Sequence, residues 1–235
     1  MSLIPPLSTD SRLLDVAVDH FGRLGLDGAS TRSIARDAGT PMSSITYHFG
    51  GKQGLYLAAA DHIAAHMRAQ IAPTLEHAER LYGDQNDGTQ NDGTQHDGTQ
   101  NDGIAARATL HAIIAGMVAV MLQDQTAAMA QFIVREQADP TEAFDRIYAG
   151  CMAMMLDRIT VLLQQASGAW ITLPQAKMRA ITLLGQVMVF RIARATVMTG
   201  MGWTHIGSDE AAVITRTIAA NLDAIIDHLQ AGAPA

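Results

Sequence analysis

An all-α fold is predicted by three features of this sequence. Apolar residues recur at helical spacing along most of the chain, strand-like alternation is nearly absent, and the gaps between periodic segments carry helix start and stop residues. The expected architecture is a three-helix head of helix-turn-helix form (residues 1–51) followed by a larger helical body (residues 52–235), about nine helices in all. The spacing places them at 11–24, 31–38, 42–48, 52–82, 104–123, 126–137, 140–166, 174–200 and 208–230.

Composition supports a real core: 48% of the 235 residues are hydrophobic and 17% are charged, which excludes disorder throughout. No apolar run reaches the ~18 residues of a membrane span, and residues 1–10 lack the basic and apolar regions of a signal peptide. A cytoplasmic protein with no membrane partner is expected. Cys151 is the single cysteine, so the chain can form neither an internal disulfide nor a cysteine-based zinc cluster. No cofactor is implied.

The net charge of −7 is unevenly placed. Residues 1–52 balance five basic against five acidic side chains, and the whole excess of acid lies beyond them. Between residues 30 and 52, Arg32, Arg36 and Lys52 face Asp37 alone. A locally basic head on an acidic body can bind phosphate at one end and avoid it elsewhere.

In the head, Val16, Ala17 and Phe21 are the inward residues of the first helix. The stretch STRSIARDAGTPMSSITYHF then reads as a short helix capped by Ser30 or Thr31, a turn at Ala38, Gly39 and Thr40, and a second short helix from about Pro41. Ile34, Ala35 and Ala38 should face inward from the first, and Ile45 and Phe49 from the second. The outward face of the second is small and polar: Ser43, Ser44, Thr46, Tyr47 and His48. Gly50 and Gly51 make a tight turn, and Lys52 joins the free N–H groups of the next helix in a phosphate site. Singly, Tyr47 reads as a half-buried core aromatic and His48 as a surface histidine; the constellation is what points to DNA.

The helix from Lys52 onward has Pro73 as a candidate bend. The repeat NDGTQNDGTQHDGTQNDG has no apolar side chain and reads as a flexible loop within residues 84–103. Asp87, Asp92, Asp97 and Asp102 recur in it, but the spacing and missing glutamate do not make an EF-hand. Residues 112–122 are apolar all round and must be surrounded by protein. Asp139 with Pro140 begins the next long helix, whose buried stripe is Phe144, Ile147, Tyr148, Cys151, Met155, Ile159 and Leu162. Thr172 with Pro174, and Ser208 with Asp209 and Glu210, start the last two. Ala211, Ile214, Ile218, Leu222, Ile225 and Leu229 form a packed seam, and an intermolecular four-helix bundle making a homodimer is expected there.

From about Ser11 to Leu57 the chain resembles the N-terminal domain of the TetR family of transcriptional regulators. Gly39, the run Tyr47-His48-Phe49, Lys52 and Leu55 carry the likeness; Pro41, Met42 and Thr46 depart from the usual pattern. The resemblance implies a DNA-binding regulator, most simply a repressor of a palindromic double-stranded operator released by a small-molecule effector. It assigns Thr31, Tyr47, His48 and Lys52 to phosphate, and Ser43, Ser44 and Thr46 to base edges; Arg32 adds positive charge. Residues 135–148 and 185–203 are similar to the CecR-type C-terminal domain within the family.

A ligand pocket in the body is further suggested by polar residues on buried-looking faces: His111, Arg135, Glu136, Arg158, Gln186 and Arg191, with Met117 and Met155 as deformable lining. Ordinary core packing is the competing reading of each methionine. Two rival functions are weighed. His62 and His66, one turn apart, offer a metal-sensing variant. An enzyme using the helical pocket is less well supported, since no catalytic motif occurs; no enzymatic activity is expected.

Overall fold

The computed structural model of the chain describes residues 9–83, 97–168 and 170–232. Every regular element among them is helical: α1 (Thr9–Gly28), α2 (Thr31–Ala38), α3 (Met42–Phe49), α4 (Lys52–Gly83), α5 (Asp97–Met121), a 3-10 turn (Asp124–Thr126), α6 (Ala127–Ala138), α7 (Glu142–Ile147), a π turn (Tyr148–Met152), α8 (Ala153–Ala166), α9 (Leu173–Ile192), α10 (Arg194–Met201) and α11 (Ser208–Ala231). The chain forms two compact units, Met1–Met67 with Gln125–Met152, and Arg68–Asp124 with Ala153–Ala235.

The first unit packs α1 to α3, the start of α4, α6 and α7 around one core. Ala17 and Phe21, Ile34, Ala35 and Ala38, and Ile45 are buried as their spacing requires, while Val16 and Phe49 are half-buried. Phe21 meets Tyr56 edge-on at 4.9 Å, and Tyr56 stacks on Phe132 at 4.7 Å. Glu136 is the polar hub of this core. It accepts the Tyr56 hydroxyl on Oε1, and the Thr141 N–H, Thr141 hydroxyl and Phe144 N–H on Oε2 at 2.9–3.0 Å. Burial, and then the Glu136 carboxylate, push the Tyr56 hydroxyl well above its ordinary pKa, so it stays a donor. α1 is interrupted at Gly25, whose φ of 72° only glycine holds without strain. The guanidinium of Arg135 lies over that glycine and donates to the Arg23 carbonyl at 3.2 Å.

The second unit builds its core from α5, α8, α9 and α11, with Leu110, Ile113, Met117, Met155, Ile159, Leu163, Leu183 and Leu222 inside. Arg107 of α5 bonds Asp223 at 2.8 Å and Asp227 at 2.7 Å on α11, and His111 bonds Asp223 at 2.8 Å.

Several expectations are corrected. The repeat is not loop throughout: α5 begins at Asp97, so residues 97–103 are helical. Acidic side chains suit a helix N-terminus, and propagation from the apolar 104–121 stretch outweighs the glycine cost. Residues 84–96 of that repeat lie outside the described residues. Thr141, not Asp139, caps α7, its hydroxyl accepting the Ala143 N–H. The helix expected over 140–166 contains the π turn, where Gly150 lies so close to Ala64 that a Cβ would stand 2.7 Å away. That insertion shifts the buried stripe, leaving Tyr148 38% exposed. The helix expected over 174–200 is two, α9 and α10, bent by 77° at Ala193. Nothing local breaks it; Arg191, half-buried at the bend, donates to the Gln123 carbonyl, a tertiary contact. Finally, Asp102–Met121 and Glu142–Ala166 are long and apolar enough to cross a membrane by length and composition, against the expectation that no segment is. Each buries one face within its own chain, through Ile113, Ile114 and Met117 in the first and Ile147 and Ile159 in the second.

Candidate nucleic-acid interface

The geometry of the tip follows from three residues, Gly39, Thr40 and Pro41. Gly39 takes φ 69°, ψ 31°, and its N–H reaches the Arg36 carbonyl at 3.1 Å while Thr40 N–H reaches Ala35 at 2.9 Å. This pair of bonds ends α2 and turns the chain through a left-handed residue, which any side chain would strain. Pro41, extended at φ −62°, ψ 141°, starts α3 and has no N–H to leave unpaired.

α3 buries Ile45 and turns Met42, Ser43, Thr46, Tyr47 and His48 to solvent, with Ser44 half-exposed. Tyr47 is 84% exposed, the highest value for a large hydrophobic side chain among the described residues. Its ring meets that of His48 edge to face, with centroids 4.9 Å apart. Packing within the chain gives no reason for that exposure; a partner does.

Gly50 and Gly51 follow, and α4 opens at Lys52. The first turn of α4 presses against the end of α3: a Cβ on Gly54 would stand 1.7 Å from the Phe49 carbonyl oxygen. Lys52 Nζ donates to the Asp27 carbonyl at 3.0 Å, which holds the ammonium in place and leaves two protons for a phosphate. Thr31 is half-buried and Arg32 exposed at the start of α2. Asp37 is doubly paired, by Arg36 Nε and His20 Nε2, each at 2.9 Å. The Arg36 bond first, then that of His20, holds its carboxyl below the usual range. The sole acidic residue of this stretch is thereby compensated. His20 carries no signal of this role in the sequence, because its partner lies 17 positions away.

The residues nominated for a ligand pocket are not all brought together. His111, Met117, Met155, Arg158, Gln186 and Arg191 lie in the second unit, where Met117 and Met155 are buried. His111 engages Asp223, and Gln186 accepts from Asn221 Nδ2 at 2.8 Å. Burial and Arg194 pull Arg191 below the ordinary guanidinium range. Arg135 and Glu136 belong to the first unit, where they hold α1, α4 and α7. Of the seam named for dimerisation, Ile214, Ile218 and Leu222 are at most 2% exposed within one chain, and Ile225 is half-buried. The side of α11 bearing Val213 and the side of α9 bearing Met178, Ile181, Val189 and Ile192 are the exposed ones. His62 Nε2 bonds Asp15 at 2.7 Å, and His66 Nε2 is buried without a hydrogen-bond partner among the described residues. Among the described residues no group of three or more His, Cys, Asp or Glu could hold a metal.

The family described as "Bacterial regulatory proteins, tetR family" matches residues 13–59. The one described as "HTH-type transcriptional dual regulator CecR, C-terminal domain" matches residues 106–229, more than half of the chain. The chain is 29% identical over 218 residues to the HTH-type transcriptional dual regulator CecR of Shigella flexneri, covering 93% of this chain and 91% of that protein. It is 36% identical over 70 residues to the regulatory protein RaaS of Mycobacterium tuberculosis, covering 30% of this chain and 32% of that one. Among solved structures, a transcriptional regulator from Pseudomonas aeruginosa PAO1 superposes with TM-score 0.64 at 20% identity, over 98% of this chain and 93% of that one. A TetR-family regulator from Streptomyces coelicolor superposes with TM-score 0.59 at 16% identity, over 94% and 96%.

Proposed function

Since the chain belongs to the TetR family of DNA-binding transcriptional regulators, with a C-terminal domain of the CecR type, we propose that it is a cytoplasmic repressor that holds a palindromic operator as a homodimer and releases it on binding a small molecule. The observation that carries this reading is the outward face of α3, whose Tyr47 stays 84% exposed beside hydroxyl side chains. Division of labour follows the sequence: residues 1–51 read DNA, and residues 52–235 bind effector and dimerise.

In this reading Thr31, Arg32, Tyr47, His48 and Lys52 meet phosphates, while Ser43, Ser44 and Thr46 reach base edges. The effector enters the body near Met117, Met155 and Arg158, where His111, Gln186 and Arg191 supply polar contacts. The dimer forms through the exposed sides of α9 and α11, whose Met178, Ile181, Val189, Ile192 and Val213 would leave a lone subunit with an uncovered apolar face. Ile214, Ile218 and Leu222 back that face from within the chain. No catalytic step is assigned to the body.

Fluorescence anisotropy of the full chain on duplexes selected from a random pool tests the reading. If each head neutralises about four phosphates, the slope of log affinity against log salt is near −7, and the half-sites lie roughly 34–36 Å or a multiple apart. A monomer bound to one half-site at nanomolar affinity overturns the dimeric reading. Titration of the complex with zinc or a chelator tests the metal-sensing alternative at His62 and His66.

A further inference from the structure

Resting on the reading of α3 as the helix that enters the major groove, we propose that Met42 is a specificity-determining residue and recognises the C5 methyl group of a thymine in each half-site. α3, MSSITYHF, contains no Arg, Lys, Asn, Gln, Asp or Glu. The side chains that discriminate guanine and adenine by paired hydrogen bonds, or cytosine by accepting from its amino group, are therefore missing from the helix. What remains for base edges is hydroxyl groups, which bond with little selectivity, and methyl groups.

Met42 is 51% exposed at the first position of α3, the end of a recognition helix that lies nearest the bases. Thr46 follows one turn later on the same flank and is also exposed, so its γ-methyl prolongs the apolar strip that the Met42 thioether begins. Pro41 fixes the backbone immediately before it, at φ −62° and ψ 141°, so the strip has a set starting point. About half of the Met42 side chain stays open to solvent within the chain, and contact with a thymine methyl removes that open surface from water. The other bases present a polar amino or carbonyl edge, or a bare ring, in the same place, and the thioether satisfies none of the polar groups. The half-site is thus read through an A·T pair whose thymine strand faces Met42.

The test uses the full chain and the best duplex that it selects from a random pool. Each thymine is replaced in turn by deoxyuridine, which removes the methyl and nothing else. One position in each half-site should weaken binding roughly three- to tenfold, as burial of a methyl predicts. With Met42→Ser that loss should vanish, the variant binding the thymine and uracil duplexes equally; Met42→Leu should restore it. Both substitutions are at an exposed site, and circular dichroism confirms that the variants fold. If no uracil weakens binding, or if Met42→Ser loses as much as the unmodified chain at every position, Met42 does not read a methyl, although the DNA-binding reading stands. If no sequence is enriched from the pool, the reading of α3 itself fails, and this inference with it.

Discussion

The tip of the head and the core of the body both set polar side chains among apolar ones, and they use them in opposite ways. On α3, Ser43, Thr46, Tyr47 and His48 point to solvent, so whatever they bind lies outside the chain. In the body, His111, Gln186 and Arg191 already bond Asp223, Asn221 and the Gln123 carbonyl. A polar group whose partner is internal needs no ligand to explain it, whereas an aromatic ring left in water does need a partner. The tip therefore declares an intermolecular role, and the polar contacts of the body declare none.

Glu136 gives the sharpest way to break this contrast, because it is an internally satisfied polar group in the head's own unit. It is 2% exposed, and removing it strands the Tyr56 hydroxyl and the Thr141 N–H, while the Phe144 N–H keeps only the Thr141 carbonyl. Glu136→Ala should cost about 3–5 kcal/mol in urea unfolding. His111→Ala, at a partly exposed pair, should cost less than about 1 kcal/mol. Similar costs for the two would show that the body's polar contacts matter structurally as much as the head's.

A second test targets placement. Gly54→Ala forces a Cβ into the Phe49 carbonyl, a backbone clash that should cost about 1–3 kcal/mol as α4 shifts against α3. Under the proposed function the exposed face of α3 and Lys52 meet one duplex in register, so operator affinity should fall at least about tenfold. An unchanged affinity would mean that the tip tolerates movement between its two parts.

Legibility in the sequence follows the same line. α2, the turn and α3 could be read to within a residue because local rules decide them: spacing, a left-handed glycine and a proline start. Tertiary contacts decide the features that were missed. The break at Ala193 goes with Arg191 reaching Gln123, and the π turn with Gly150 against Ala64. The spacing groups Glu136 and Arg135 with the pocket because a buried charge on an apolar helix looks the same whichever unit it faces. Only the fold shows that Tyr56, 80 positions away, is the partner of Glu136. Likewise, the seam Ile214, Ile218 and Leu222 was correctly apolar, but periodicity cannot say whether the chain or a second copy covers it.

Lys52 and Thr46 separate positioning from reading within the tip. Lys52→Ala should weaken binding to every sequence about three- to tenfold and flatten the salt slope by about one unit, since a phosphate contact carries no base information. Thr46→Ala should instead relax preference at one or two base pairs. Equal effects on specificity, measured on single-base variants of the selected duplex, would place the recognition surface elsewhere.

The smallest effect is expected at Asp223, where the body's internal pairing can be followed by pH. Burial raises its pKa, but the bonds from His111 and Arg107 outweigh that and hold the carboxyl below the ordinary aspartate range. A carboxyl depressed in the folded state stabilises above its unfolded pKa of about 3.9, and the contribution is lost as pH falls through the folded value. Its side chain is 38% exposed, so solvent screening limits the gain to less than about 1 kcal/mol. Asp223→Asn should therefore lower stability slightly at pH 5, with the difference from the unmodified chain shrinking below about pH 4. Urea midpoints across that range measure it. A difference that instead grew as pH fell would mean that the Asp223 carboxylate is not favoured by its partners, and that the His111 cluster is less settled internally than its geometry implies. The polar core of the body would then become the first place to test for the proposed effector.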